Sequence, residues 1–204
     1  MAAETLTPER ILVAAEEVLR RYGPAKANVV DVARALEVSH GSVYRHFPSK
    51  AALRDAVTER WLADISAPLA AVAAEKRPAA KRLRRWLDLL VASKRGKALE
   101  DPELFATYIS LTTDARDVVK AHVDVLVGQL AQIIADGVAS GAFEPTDDPA
   151  ATARAVFDAT SRFHNPAHAM SWSDPDIDVA YRNVRRLVLS GLARSRSRKP
   201  AVRR

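Results

Sequence analysis

The chain contains 204 residues, of which 31 are Lys or Arg, 25 are Asp or Glu and none is Cys, and its formal net charge is +6. Without cysteine, a disulfide framework, a cysteine-ligated zinc finger and a thiol nucleophile are all excluded. The first ten residues are too polar for a signal peptide, and no apolar stretch is expected to span a membrane. The sequence therefore predicts a cytoplasmic protein without a membrane partner.

The excess of positive charge lies at the C-terminus. The last fourteen residues, "GLARSRSRKPAVRR", hold six basic residues and no acidic one, which leaves 25 basic and 25 acidic residues in the rest of the chain. We expect residues 194–204 to form a disordered basic tail. A solvated chain end is the simpler interpretation of this tail, and contact with nucleic-acid phosphates is the alternative.

Helix-length segments separated by Pro, Gly and Asp, with no alternating strand pattern, predict an all-α fold. The first helix is expected to begin at Pro8 and to end at Gly23. A second, short helix follows Asn28, which can cap it, and apolar residues recur in it at helical spacing. The third is expected to begin after the cap Ser39 and to end near Phe47.

A longer linking helix is predicted over residues 49–66, because Ser49 can cap its start and Pro68 lies beyond its end. Five further helices are expected at Pro78–Ser93, Pro102–Leu111, Ala115–Ser140, Pro149–Phe163 and Pro175–Gly191. These segments predict an N-terminal domain over residues 1–48 and, after the linking helix, a larger helical bundle over residues 67–193.

The second and third predicted helices are too short to be stable alone, so they must pack against the first. Three small helices with a tight joint between the last two form a helix-turn-helix, in which the last helix enters the major groove of DNA. In that helix Val43 and Phe47 project to one side and the polar residues project away. An ordinary helical hairpin with a polar solvent face is the alternative.

The outward side chains of this segment have the chemistry of DNA contact. His40 and Ser42 can form hydrogen bonds with base edges, and Gly41 lets the backbone approach the groove. Tyr44 offers a ring to a thymine methyl group or a hydroxyl to a phosphate. Arg45, His46 and Lys50 are expected to contact the phosphate backbone. The residues predicted to contact DNA are Asn28, Ser39, His40, Gly41, Ser42, Tyr44, Arg45, His46 and Lys50.

Residues 7–65 resemble the DNA-binding domain of the TetR-type transcriptional regulators. The matching motifs are "DVA" at residues 31–33, "VS" at residues 38–39 and "GSVYRHFPSK" at residues 41–50. The family often has Gly where Glu37 stands and a basic residue where Val30 stands. The resemblance implies a ligand-responsive regulator, most often a repressor, that binds a palindromic double-stranded DNA operator as a homodimer. It also implies that the remaining helices bind a small-molecule effector and form the dimer.

An effector pocket is expected among the middle helices, with mostly apolar walls suited to an apolar or aromatic ligand. The predicted lining residues are Trp86, Leu90, Phe105, Tyr108, Ile109, Val118, His122, Val125, Gln129 and Phe157. Within this set His122 and Gln129 interrupt an apolar pattern, and Arg162 and His164 adjoin Phe163. Such polar groups could orient a ligand or bind an acidic one. Each of these four polar residues has a simpler interpretation as an ordinary core or surface residue.

The last two predicted helices have the composition of a dimer interface. Small residues for close approach are Ala151, Ala155 and Ala159, and larger residues for burial are Ile177, Tyr181, Val184 and Val188. The alternative is that these residues pack inside one protomer.

Neither a metal nor an enzymatic cofactor is expected. His164 and His168 are four residues apart, but Asn165-Pro166 disfavours a regular helix between them and no acidic residue completes a ligand set. No glycine-rich nucleotide motif, Walker loop or Gly-x-Ser-x-Gly occurs, so an enzyme is not predicted. The rival interpretation is a helical carrier of small molecules that never meets DNA.

Overall fold

The computed structural model describes residues 5–26 and 28–194. Within these ranges the backbone forms α1 (Pro8–Lys26), α2 (Val29–Ala35), α3 (His40–Tyr44), α4 (Lys50–Ala73), α5 (Ala79–Glu100), α6 (Pro102–Asp114), α7 (Arg116–Ala139), α8 (Pro149–Ala159) and α9 (Ile177–Leu192), with 3₁₀ segments at Ser161–Phe163 and Pro166–Ser173. The described residues contain no strand, only an isolated bridge between Phe143 and Ala193. The predicted all-α fold is confirmed.

The chain divides into two compact units. Among the described residues, the first comprises residues 5–26 and 28–66 together with Gly96–Asp124, and the second comprises Ala67–Arg95 and residues 125–194. This division differs from the predicted single bundle over residues 67–193. The reason is that Tyr108 and Leu111 of α6 are buried in the same apolar cluster as residues of α1, α2 and α4, so α6 belongs with the N-terminal helices.

Side-chain caps set the starts of the short N-terminal helices. The Asn28 side-chain oxygen accepts hydrogen bonds from the backbone N–H groups of Val30 and Asp31 at 2.8 and 3.0 Å. Ser39 Oγ accepts one from the N–H of Ser42 at 3.1 Å. Ser49 Oγ accepts one at 3.0 Å from the N–H of the residue three positions later. All three predicted caps are confirmed, and each satisfies a backbone donor that the first helical turn leaves unpaired.

Two predicted helix ends are wrong. α3 ends at Tyr44 rather than near Phe47, because the chain tightens into a turn in which the N–H of His46 donates to the carbonyl oxygen of Val43 at 3.0 Å. α4 continues through Pro68 to Ala73 instead of ending near residue 66. A proline removes one hydrogen bond, but the burial of Leu69 and Val72 in the turn that follows favours continuing the helix.

The ends of two further helices also differ from the prediction. α5 runs to Glu100, seven residues beyond its predicted end, and α8 stops at Ala159, so the chain reaches Phe163 through a 3₁₀ segment. Of the predicted basic tail, only Arg194 lies among the described residues.

Among the described helices α7 is the one whose length and apolar composition would suffice to cross a membrane. The expectation that no apolar stretch spans a membrane stays a prediction. These two properties alone are weak evidence for a membrane span, because core helices of soluble proteins share them.

Candidate nucleic-acid interface

The recognition segment, residues 39–50, is anchored by two side chains. Val43 and Phe47 are buried in the apolar cluster that α1, α2 and α4 also enter. The side chains of His40, Tyr44 and Arg45 are exposed, and so are those of His46 and Lys50. Burial therefore divides this segment as predicted into an inward pair and an outward polar face.

The aromatic residues of α3 lie side by side on that outward face. The rings of His40 and Tyr44 are perpendicular, with centroids 6.4 Å apart. Tyr44 is 42% exposed. An exposed tyrosine beside an imidazole presents both a hydroxyl and an apolar ring to a partner, which suits contact with a phosphate or a thymine methyl group.

Asn28 and Ser39 are engaged within the protein. Their side-chain oxygens cap α2 and α3, so both residues orient the two helices of the helix-turn-helix. Asn28 keeps its amide N–H₂ group for further hydrogen bonds, whereas the Ser39 hydroxyl already lies 2.9 Å from that of Ser42.

A chain of side-chain hydrogen bonds that the sequence reasoning missed runs along the exposed side of the segment. The hydroxyl oxygens of Ser39 and Ser42 are 2.9 Å apart, and Arg45 Nη2 donates to Ser42 Oγ at 3.1 Å. The spacing of three residues between Ser39, Ser42 and Arg45 places them on one helical face and is the signal that could have revealed the chain.

Some basic side chains on this surface are paired with a carboxylate and others are not. Arg34 of α2 pairs with Asp31, with Nη1 and Oδ1 3.2 Å apart. Among the described residues, no carboxylate lies within ion-pair distance of Arg45, His46 or Lys50. The outward face of residues 39–50 therefore presents uncompensated positive charge, as binding to a polyanion requires.

The residues predicted to line an effector pocket fall in both units. In the first, Phe105, Ile109 and Val118 pack against the buried apolar cluster and Tyr108 belongs to it. The ring centroid of Tyr108 is 6.0 Å from that of Trp61 and 6.0 Å from that of Phe105. These four residues therefore contribute to the core of the first unit, and His122 is buried there as well.

In the second unit, Trp86 and Leu90 are fully buried, and Trp86 Nε1 donates to Gln129 Oε1 at 2.9 Å. Val125 is exposed, whereas Phe157 is buried with its ring centroid 4.6 Å from that of His164. A cleft of about 580 Å³ lies elsewhere in this unit, lined by residues 73–79, Arg82, Gln132, Asp136 and Ser140. None of the predicted pocket residues lines that cleft.

His164 is a buried neutral base. Its Nε2–H donates to the carbonyl oxygen of Phe157 at 3.2 Å, and Thr160 Oγ1 lies 3.3 Å away. Burial lowers the pKa of His164 to about 4, and the positive charge of Lys94 acts in the same direction. His168, in contrast, is exposed, so the two histidines have different surroundings. The described residues contain no group of three His, Asp or Glu side chains able to hold a metal ion.

Two residues of the predicted dimer surface are buried within the protomer. Ile177 and Tyr181 are buried within the protomer, in a cluster with Val91 and Phe163. Tyr181 also donates its hydroxyl hydrogen to Asp88 Oδ1 at 2.8 Å. Burial of these two side chains favours the alternative that they pack inside one protomer.

The rest of that predicted surface is accessible. Ala151, Ala155 and Ala159 are exposed, and Val184 and Val188 are half-buried. The exposed side of α9 instead carries Val179 and Leu187. These two residues were missed, although their spacing of eight positions places them on one helical face.

Two family models match the chain. Residues 11–57 match the model described as "Bacterial regulatory proteins, tetR family". Residues 79–185 match the model described as "Tetracyclin repressor-like, C-terminal domain". The chain belongs to the TetR family of bacterial transcriptional regulators, and the helix-turn-helix of residues 28–47 is the DNA-binding element of that family. A search of curated protein sequences gave no match.

Solved structures share the fold across nearly the whole chain. A TetR transcription regulator from Haloarcula marismortui is 19% identical with a TM-score of 0.71, covering 92% of this chain and 98% of its own. SmeT, the repressor of the Stenotrophomonas maltophilia efflux pump SmeDEF, is 18% identical with a TM-score of 0.66, covering 94% and 92%. Thermus thermophilus FadR, a TetR-family repressor in complex with lauroyl-CoA, is 22% identical with a TM-score of 0.62, covering 95% and 99%.

Proposed function

We propose that this regulator is a homodimeric repressor of the cytoplasm that binds a palindromic operator and is released from it by a small-molecule effector. The observation that carries the proposal is the division of residues 39–50 into buried anchors, Val43 and Phe47, and an exposed polar face without carboxylate partners. Such a face suits base edges and phosphates. No enzymatic step is part of the proposal.

A dimer would set the distance between the two exposed polar faces, one from each protomer, along the DNA. Two recognition helices bind successive major grooves when they lie about 34–36 Å apart, which matches a palindromic site. The exposed small residues of α8 and the exposed apolar residues of α9 support a two-fold interface in the second unit.

The effector is proposed to be an apolar or aromatic molecule. Support comes from relatives whose solved structures contain lauroyl-CoA or resorcinol. Such a ligand lowers the affinity for DNA only to the extent that it prefers the state that does not bind DNA. We therefore expect lauroyl-CoA and resorcinol to be informative first probes in a thermal-shift measurement.

The direct test is a fluorescence-anisotropy titration against DNA from immediately upstream of the gene, at several salt concentrations. Saturable binding should exceed binding to scrambled DNA. Tyr44→Ala and Lys50→Ala should each weaken it by about tenfold or more, because each removes a contact to DNA while leaving the buried anchors in place.

Matched controls are available in the same unit. Tyr22 on α1 is 47% exposed, close to the 42% of Tyr44, so Tyr22→Ala removes a comparable ring away from α3. Lys97→Ala removes the same charge as Lys50→Ala from an exposed position on α5. Both controls should bind like the unmodified protein. Equal weakening in controls and test variants would reject α3 as the reading element.

A further inference from the structure

Arg45 is held in place on the exposed side of the recognition segment, although it lies next to the end of α3. We propose that Arg45 reads a guanine edge in the major groove and that Ser42 is the positioning residue that directs it there. This inference rests on the proposed function. It changes the role expected for Arg45 from a phosphate contact, which carries no sequence information, to a residue that determines specificity.

The first step is the local geometry. Ser39 Oγ accepts a hydrogen bond from the backbone N–H of Ser42 at 3.1 Å, so the backbone of the first turn fixes it. The Ser42 hydroxyl lies 2.9 Å from that oxygen, and Arg45 Nη2 donates to Ser42 Oγ at 3.1 Å. The guanidinium is thus connected, through two hydroxyl groups, to the start of α3.

The backbone of Arg45 is equally well defined. Its φ and ψ are −66° and −26°, which are helical values, and its N–H donates to the carbonyl oxygen of Gly41 at 3.3 Å. A long arginine side chain ordinarily loses much rotamer freedom when it binds. Ordering by Ser42 before binding reduces that loss, and the orientation of the planar guanidinium becomes part of the recognition.

The charge of Arg45 is also available. Arg34 on the neighbouring helix is paired with Asp31 at 3.2 Å, whereas the ion pairs of the described residues do not include Arg45. A guanidinium has five N–H donors, so the bond to Ser42 leaves four. Two of these, in the fixed geometry of the guanidinium, match the O6 and N7 acceptors of guanine, the commonest base-specific contact of arginine.

The test begins with selection of binding sequences by the full-length protein from random double-stranded DNA. Anisotropy titrations then measure every single base-pair change in one half-site. The unmodified protein should prefer guanine at one position by about 5- to 150-fold over other bases. Arg45→Ala should remove the preference at that position alone. Arg45→Lys should retain only part of it, because lysine lacks the paired donors.

The positioning role of Ser42 is tested by its effect on the base preference that Arg45 provides. Ser42→Ala should reduce the preference at the same position by about two- to tenfold, and Ser42→Thr, which keeps the hydroxyl, should restore it. In the Arg45→Ala background, Ser42→Ala should have no further effect at that position, since the two residues act as one unit. Circular dichroism melting checks that each variant is folded.

Three outcomes would overturn parts of this scheme separately. If Arg45→Ala weakens binding to all sequences equally and lowers the salt slope by about one, Arg45 contacts a phosphate. If Ser42→Ala matches the unmodified protein, or adds the same loss without Arg45, Ser42 does not position the guanidinium. If the unmodified protein selects no sequence at all, the proposed operator binding itself fails, and this inference fails with it.

Discussion

At Glu37 the backbone adopts a left-handed conformation, with φ at 56°, and among the described residues no other non-glycine side chain has a positive φ. The residue lies in the joint between α2 and α3, where its N–H donates to the carbonyl oxygen of Arg34 at 3.2 Å. A residue with a Cβ is strained in this conformation, and glycine is not. Glu37, which departs from the family motif, therefore holds this turn in a strained backbone conformation.

We expect Glu37→Gly to raise the free energy of unfolding by about 1 kcal/mol, because it relieves the left-handed strain while the turn is kept. Urea denaturation measures the change. Glu37→Gln is the matched control, since it removes the charge and keeps the Cβ, and it should leave stability nearly unchanged. A stabilisation shared by both variants would show that charge, not conformation, is responsible.

A second expectation at this scale concerns the buried imidazole of His164. Its pKa is lowered to about 4 in the folded protein, whereas an unfolded histidine titrates near 6.5. The unfolded state therefore takes up the proton first, and folding stability falls as the pH drops from about 6.5 towards 4. Between pH 7.5 and pH 5 the loss due to this one group should be about 2 kcal/mol.

Comparing urea unfolding of the unmodified protein with His164→Gln at both pH values isolates the effect, because the other titrating groups are common to both. The difference in stability between the two proteins should shrink on acidification. A difference that stays constant with pH would rule out the buried neutral state of His164.

At the scale of single elements, α7 shows how one residue without a side chain makes room for a loop. A Cβ built on Gly137 would lie 2.1 Å from the ring of Phe143, which is buried. The loop residue Ala142 accepts a hydrogen bond from the N–H of Arg194 at 3.2 Å, and the N–H of Glu144 donates to the carbonyl oxygen of Leu192 at 2.9 Å. Gly137 therefore allows the loop after α7 to pack closely and to meet the end of α9.

Gly137→Ala should destabilise the protein by about 1–3 kcal/mol, because the new methyl group displaces the Phe143 ring. The same helix offers a control of opposite sign. Gly128 has no atom within 4 Å of an added Cβ, so Gly128→Ala should gain up to about 1 kcal/mol of helix stability. Thermal melting of both variants measures this. A shift of the two melting temperatures in the same direction would contradict the role given to Phe143.

The sequence predicted the existence of the helices better than their ends. Caps at Asn28, Ser39 and Ser49 act within three residues, so local chemistry was sufficient to find them. The passage of α4 through Pro68 depends on burial of residues beyond the proline, which is a tertiary effect that overrides a local rule.

For the molecule as a whole, sequence reasoning found the helical fold and the helix-turn-helix but not the division into units. That α6 packs with α1 depends on contacts between residues about a hundred positions apart, for which helical periodicity carries no signal. Likewise, Ile177 and Tyr181 have the spacing of a surface stripe, yet they face the protomer core. An apolar stripe indicates that one face of a helix is buried, but it does not identify the element that packs against that face.

The exposed side of α9, which carries Val179 and Leu187, allows a test of the proposed homodimer. Leu187 on α9 is 70% exposed and Leu99 on α5 is 67% exposed, so the two leucines form a matched pair in different units. Leu187→Glu should shift the protein towards monomer in sedimentation experiments, because it places a charge in the proposed interface. Leu99→Glu should leave the assembly unchanged. A dimer that survives Leu187→Glu would exclude this side of α9 from the interface.

The separation of anchors from exposed residues in the recognition segment also has an evolutionary consequence. Stability depends on Val43 and Phe47, while His40, Tyr44 and His46 carry little of the core. Substitutions at such exposed positions usually change stability by less than about 0.5 kcal/mol. Descendants of this gene could therefore acquire new target promoters through single surface mutations, without first acquiring compensating changes elsewhere in the chain.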